Sequence, residues 1–162
     1  MFKIGDQIVH PMHGAGFIEG IEMQTVGGVQ REYFDISLLG GKIRLKFPVE
    51  NSGTISLRPL IDAKKAEELM HYFATLEIDM SGPWSMRYKE NIERIKKGDP
   101  KEVTEVIKTL MLRDKVVGLS TGDRQMMVMA KNILCSELAM VIGSDIETVF
   151  AKLQDVIKNE MG

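Results

Sequence analysis

Cysteine is almost absent from these 162 residues: Cys135 stands alone, so no disulfide forms within the chain. A disulfide-stapled secreted fold is excluded, and a reducing cytoplasm is the expected home. Aromatic residues are scarce at 6%, with Trp84 the single tryptophan. Histidine is represented by His10, His13 and His71 only. The pair His10-x-x-His13 lacks a nearby cysteine or third ligand, so a turn role beside Pro11 is expected and no metal. No apolar run approaches the roughly 20 residues that span a bilayer. Met1-Phe2-Lys3-Ile4-Gly5-Asp6 has no long apolar stretch behind its lysine, so neither a membrane span nor a secretory leader is expected. Excess positive charge is missing as well. Lys and Arg number 21 against 23 Asp and Glu, for a net charge of −2 and a pI of about 6.0. This argues against a bulk polyanion binder, whose pI would usually exceed about 9, so any nucleic-acid contact has to rest on local features.

Catalytic arrangements are lacking too. Cys135 lies mid-helix between Leu134 and Leu138 with no histidine partner, which reads as a buried, inert thiol. Gly14-Ala15-Gly16 is not followed by the further glycine, lysine and Ser/Thr of a phosphate loop, so it reads as a turn. Glu67, Glu68, Glu90 and Glu93 lie beside lysines, as on solvated helix faces. Met126, Met127 and Met129 are expected as flexible core filling. No enzyme activity and no cofactor are expected.

What is present divides into two regions with different periods. Up to about residue 60 the chain reads as five short strands: Gln7–His10, 14–23, Val29–Leu38, a run ending at Pro48, and 54–58. Gly27-Gly28 and Gly40-Gly41 mark tight hairpins. Ile43, Leu45 and Phe47 alternate with Lys42, Arg44 and Lys46, which predicts an apolar face backed by cations. Five strands with tight turns predict a small SH3- or Tudor-like barrel, whose closure would hide the edges. After Pro59 the spacing becomes helical: 62–76, Trp84–Lys97, a helix opened by Asp99-Pro100 and closed by Gly118, another from Ser120 to about Ile142 ended by Gly143, and a last one capped by Ser144-Asp145. The expected fold is therefore α+β: a β-barrel over residues 1–60, then an all-α bundle over 61–162.

Trp84 opens the second helix. Two stripes compete there: Trp84, Tyr88, Ile92 and Ile95 would make the indole core, whereas Trp84, Arg87, Asn91 and Arg94 would set it among polar groups. Arg87, Lys89, Arg94, Lys96 and Lys97 crowd this helix, and Arg113, Lys115, Arg124 and Lys131 follow in the next two. Cations beside a ring at a helix N-terminus suit phosphates and a wedged base step. A solvated basic face has the same pattern.

These residues resemble the CarD/CdnL family of bacterial transcription regulators. The resemblance runs through Phe2-Lys3-Ile4-Gly5-Asp6-Gln7-Ile8-Val9-His10-Pro11-Met12-His13-Gly14-Ala15-Gly16, Gln30-Arg31-Glu32-Tyr33-Phe34 and Phe47-Pro48-Val49-Glu50-Asn51. It continues in Trp84-Ser85-Met86-Arg87-Tyr88-Lys89-Glu90-Asn91, Gly118-Leu119-Ser120-x-Gly122-Asp123 and Ala130-Lys131-x-Ile133-Leu134, in family order over nearly the whole chain. It implies that the barrel, similar to that of the transcription-repair coupling factor, binds the RNA polymerase β subunit through Gln24, Val26 and Lys46. It implies that the helices touch promoter DNA at the upstream edge of the open bubble. Trp84 would be the wedge, Lys89 and Arg124 would hold the backbone, and Arg87 would join them. Some members carry arginine where this chain has Gln24, Lys46 and Met86. Lys46 keeps the charge without the planar fork, and Gln24 loses the charge. A monomer in the active complex is implied, while an exposed barrel edge leaves self-pairing open. An adaptor that binds polymerase without a DNA role is the competing reading, with an enzyme behind it.

Overall fold

A computed structural model describes residues 2–40, 43–50, 56–81 and 84–161, the side chains of Trp84, Ser85, Met86 and Met161 apart. Five strands, β1 (Gln7–His10), β2 (Gly14–Val26), β3 (Val29–Leu38), β4 (Arg44–Pro48) and β5 (Arg58–Pro59), form one antiparallel sheet in the order β4-β3-β2-β1-β5. Five helices follow: α1 (Ala63–Thr75), α2 (Trp84–Lys97), α3 (Pro100–Val116), α4 (Thr121–Ile142) and α5 (Ile146–Met161).

The turns and caps come from the residues that the pattern singled out. Gly27 and Gly28 take φ of 60° and 79°, which closes β2 onto β3 with Val26 facing Val29. Asp62, Asp99 and Ser120 each accept a backbone N–H at the start of α1, α3 and α4. Gly143 ends α4 at φ 72°.

Three details of the sheet differ from expectation. The described ladder is open, with β4 and β5 at its two ends, so no closure of the barrel is seen among the described residues. The last strand is confined to Arg58–Pro59, where Pro59 has no N–H to extend pairing with β1; the expected strand's residues 54–55 lie outside the described residues, as do Gly41 and Lys42 of the second hairpin. Ile43 was expected to point inward and is 64% exposed, because it stands in the turn before β4, where its carbonyl accepts the Leu38 N–H. Leu45 and Phe47 do pack inward, against Ile8, Ile18, Phe34 and Ile36. A bulge between Ile18 and Gly20 shifts the inward side of β2 from even to odd positions, so Ile21 pairs opposite Phe34.

A second core fills the bundle. Leu69 and Phe73 of α1, Ile95 of α2, Val106 and Leu110 of α3, Ile133 and Leu138 of α4, and Leu153 of α5 belong to it. At 22 residues, α4 is long and apolar enough to cross a membrane by length and composition; half of its most apolar window is buried, as in a core helix. Cys135 lies in this core, and burial pushes its thiol up to about 12, the state of an inert thiol.

The sheet and bundle meet along α4. Gly14, at φ 95°, approaches so closely that a Cβ would lie 2.4 Å from the Asn132 carbonyl oxygen. The next residue, Ala15, donates its N–H to Ser136 Oγ at 2.8 Å. Arg58 pairs bidentately with Glu137 at 2.6 and 2.7 Å, and the Ile61 N–H reaches the same carboxylate at 3.0 Å. Three donors thus satisfy a carboxylate side chain that is only 1% exposed.

Candidate functional site

α2 resolves the contest between its two stripes only in part. Asn91 and Ile95 are buried, Ile92 and Arg94 are half-buried, and Tyr88 and Lys89 are exposed. The inward face therefore takes one member from each proposed stripe. Trp84 occupies the first turn of α2, and its side chain lies outside the described residues.

Tyr88 rests on Gly122: a Cβ added there would stand 3.5 Å from Tyr88 Cε2. This contact sets the N-terminal half of α2 beside the first turn of α4. Lys89 follows Tyr88, and Arg124 lies two residues beyond Gly122, both exposed. Arg124 donates Nε–H to the Leu119 carbonyl at 3.3 Å. Among the described residues neither Lys89 nor Arg124 has a carboxylate partner. The N-terminus of α4 adds the partial positive charge of its free N–H groups.

Other cations of the expected basic trail are engaged within the fold. Arg94 pairs with Glu102 and Glu105 on α3. Lys131 pairs with Glu147 at 2.9 Å and lies 4.4 Å over the Phe150 ring. Arg113 faces Asp123 at 3.9 Å. Arg87 donates both terminal nitrogens to backbone carbonyls, those of Asp79 and Ser81.

The sheet carries a second charged surface. Cross-strand register puts Asp35 opposite Lys46, Gln24 opposite Arg31 and Val26 opposite Val29. With the pleat this brings Gln24, Val26 and Lys46 onto one face, the side away from Phe34 and Phe47. Lys46 pairs with Glu22 and, at 3.5 Å, with Asp35; the Glu22 hydrogen bond is the main cause raising its pKa. Arg44 reaches Glu19 at 2.8 Å and Asp35 at 3.2 Å. This face is a lattice of alternating signs bordered by exposed Val26 and Val29.

The histidine pair behaves as a turn. His10 is buried, its Nδ1 accepts the Met12 N–H at 3.0 Å, and its ring meets Phe47 edge-on at 5.6 Å. Burial first, then the neighbouring His13, lowers its pKa to about 4, which keeps it neutral. Among the described residues no group of three or more His, Cys, Asp or Glu is placed to hold a metal. A cleft between sheet and bundle, lined by Phe2, Asp6, Pro59, Ile61 and Met140, brings no second ionisable group to Asp6 among the described residues.

Sequence reasoning missed the Arg58–Glu137 pair, separated by 79 residues, and the Tyr88–Gly122 contact. A glycine in the first turn of a helix was the available signal for the latter.

Comparison with known proteins adds to this geometry. Residues 2–61 match the CarD-like/TRCF RID domain, and residues 68–154 match the CarD C-terminal domain. YdeB, a candidate transcription factor of Bacillus subtilis (strain 168), is 36% identical over 143 residues, which cover 88% of this chain and 94% of that protein.

Proposed function

The chain belongs to the CarD family and has a role in transcription, and from that premise we propose that it is a cytoplasmic regulator that holds RNA polymerase by its sheet and promoter DNA by its helices. The sheet face of Gln24, Val26 and Lys46 meets the polymerase β subunit. The pair Lys89 and Arg124 holds DNA backbone at the upstream edge of the open bubble, and Trp84 wedges beside it.

The observation that carries the reading is the Tyr88–Gly122 contact, which brings the N-terminal half of α2, with Lys89, beside the first turn of α4, with Arg124, two cations without carboxylate partners among the described residues. A phosphate backbone is the ligand such a pair suits, and none of its contacts requires a particular base. Docking on polymerase raises the local concentration of the helical surface at the promoter, so a patch too small to bind free DNA becomes effective there. This accounts for a DNA role in a chain of net charge −2. A group that touches only the opened form stabilises it by its differential affinity. About 1.4 kcal/mol shifts the open/closed ratio tenfold. One stacked aromatic ring supplies roughly 1–3 kcal/mol.

The test is photocrosslinking from positions 24 and 89 in polymerase–promoter complexes. The proposal expects position 24 to capture the β subunit and position 89 to capture DNA at the upstream bubble edge. Capture of protein alone from position 89 would replace it with the adaptor reading.

A further inference from the structure

The connection from α1 to α2 has no regular structure at residues 76–81, yet basic side chains hold its carbonyls at both ends. Lys108 of α3 is fully buried. Its ammonium donates to the Phe73 carbonyl at 2.7 Å and to the Leu76 carbonyl at 2.6 Å, which caps the C-terminal end of α1. Glu160 of α5, at 3.1 Å, balances its charge. At the other end Arg87 turns back from α2 and places one terminal nitrogen on the Asp79 carbonyl and the other on that of Ser81. Asp79 stiffens the same stretch by accepting the Ser81 N–H at 2.9 Å and hydroxyl at 2.6 Å.

We infer that Arg87 is a positioning residue: its guanidinium fork, working with Lys108 at the far end, fixes the course by which the chain enters α2 and so sets where Trp84 is presented. A planar fork spans two carbonyls two residues apart, whereas an ammonium is a single point with no fixed geometry. With both terminal nitrogens committed to the linker, Arg87 acts on DNA through Trp84 and not as a phosphate ligand. Lys108 does the same from the interior, since the end of α1 is where the linker starts. This rests on the proposed DNA role for its consequence, but the clasp itself is a property of the free protein.

The experiment compares wild type with Arg87→Lys, Arg87→Ala and Lys89→Ala. Two readouts use the free protein: amide exchange over residues 77–83, and the fluorescence anisotropy of Trp84, the one tryptophan. A third is the salt dependence of open-complex lifetime on polymerase. Both Arg87 variants are expected to raise exchange in the linker roughly tenfold, as local opening becomes easier. Both should lower the anisotropy, shorten the lifetime and leave the salt slope at its wild-type value. Lys89→Ala should leave exchange and anisotropy unchanged and reduce the slope by about one. The inference is overturned if Arg87→Ala leaves linker exchange unchanged, or if Arg87→Lys restores everything that Arg87→Ala loses, since charge and not the fork would then be what matters. If wild type itself fails to lengthen the lifetime, the proposed function falls, while exchange and anisotropy still decide the clasp.

Discussion

The sheet face of Gln24, Val26 and Lys46 and the helical patch of Lys89 and Arg124 both show cations to solvent, but hold them differently. On the sheet Arg44 and Lys46 are tied to Glu19, Glu22 and Asp35 in a lattice of alternating sign, with exposed Arg31 beside it opposite Gln24. On the helices Lys89 and Arg124 have no carboxylate partner among the described residues. A lattice can exchange its ion pairs for those of a protein surface of matching pattern. Cations without a carboxylate partner suit a uniform polyanion. A net charge of −2 says nothing about this division; the pairing does.

The largest expected effect lies at the junction that makes the two regions one body. Glu137→Ala removes the partner of Arg58 from a site where the carboxylate is 1% exposed. It should cost about 1.5–3 kcal/mol in urea unfolding, because Arg58 is left half-buried, with the Gly98 and Pro59 carbonyls still accepting from it. A loss below about 1 kcal/mol, the range of an exposed pair, would mean that the two surfaces are not rigidly joined.

Acid should act on the sheet next. His10 titrates near 4 when folded and near 6.5 when unfolded, so the unfolded chain binds the extra proton between those values. Its contribution to stability is complete above pH 6.5 and is lost as pH falls toward 4, at up to about 1.4 kcal/mol per pH unit. Urea midpoints for wild type and His10→Gln, taken between neutral pH and about pH 5, should converge on acidification.

Smaller effects separate the two charged surfaces. Lys89→Ala and Arg124→Ala should each lower the salt slope of promoter-complex stability by about one, or roughly fourfold in affinity between about 50 and 200 mM salt. Lys46→Ala should leave that slope unchanged and weaken polymerase binding. Its effect on stability should be the smallest of these, because its pairs with Glu22 and Asp35 are solvent-exposed.

Much of the fold was legible because its signals are local. Asp62, Asp99 and Ser120 cap helices within three residues of themselves, and Gly27-Gly28 needs only its own φ angles. Closure of the barrel was not legible, since it depends on pairing between the two ends of the ladder, β4 and β5, which no local signal reports. The helical surface was legible in outline only. Sequence spacing shows that Arg94 and Lys131 lie on helices, but not that Glu105 and Glu147 meet them from neighbouring helices. The same holds for Arg87, whose partners are carbonyls of a linker that must first fold back. Lys108 gave a faint signal: it lies four residues after the buried Thr104 and three before the buried Met111, a lysine on the inward path of α3.

The measurement that tests the central claim most directly is the lifetime of promoter open complexes formed by RNA polymerase with its housekeeping sigma factor. Wild type is compared with Trp84→Ala, with folding and polymerase binding of the variant checked in parallel. The account predicts a longer lifetime with wild type and none of that gain with the folded, polymerase-bound variant. Equal lifetimes with wild type, with Trp84→Ala and with no added protein would contradict it.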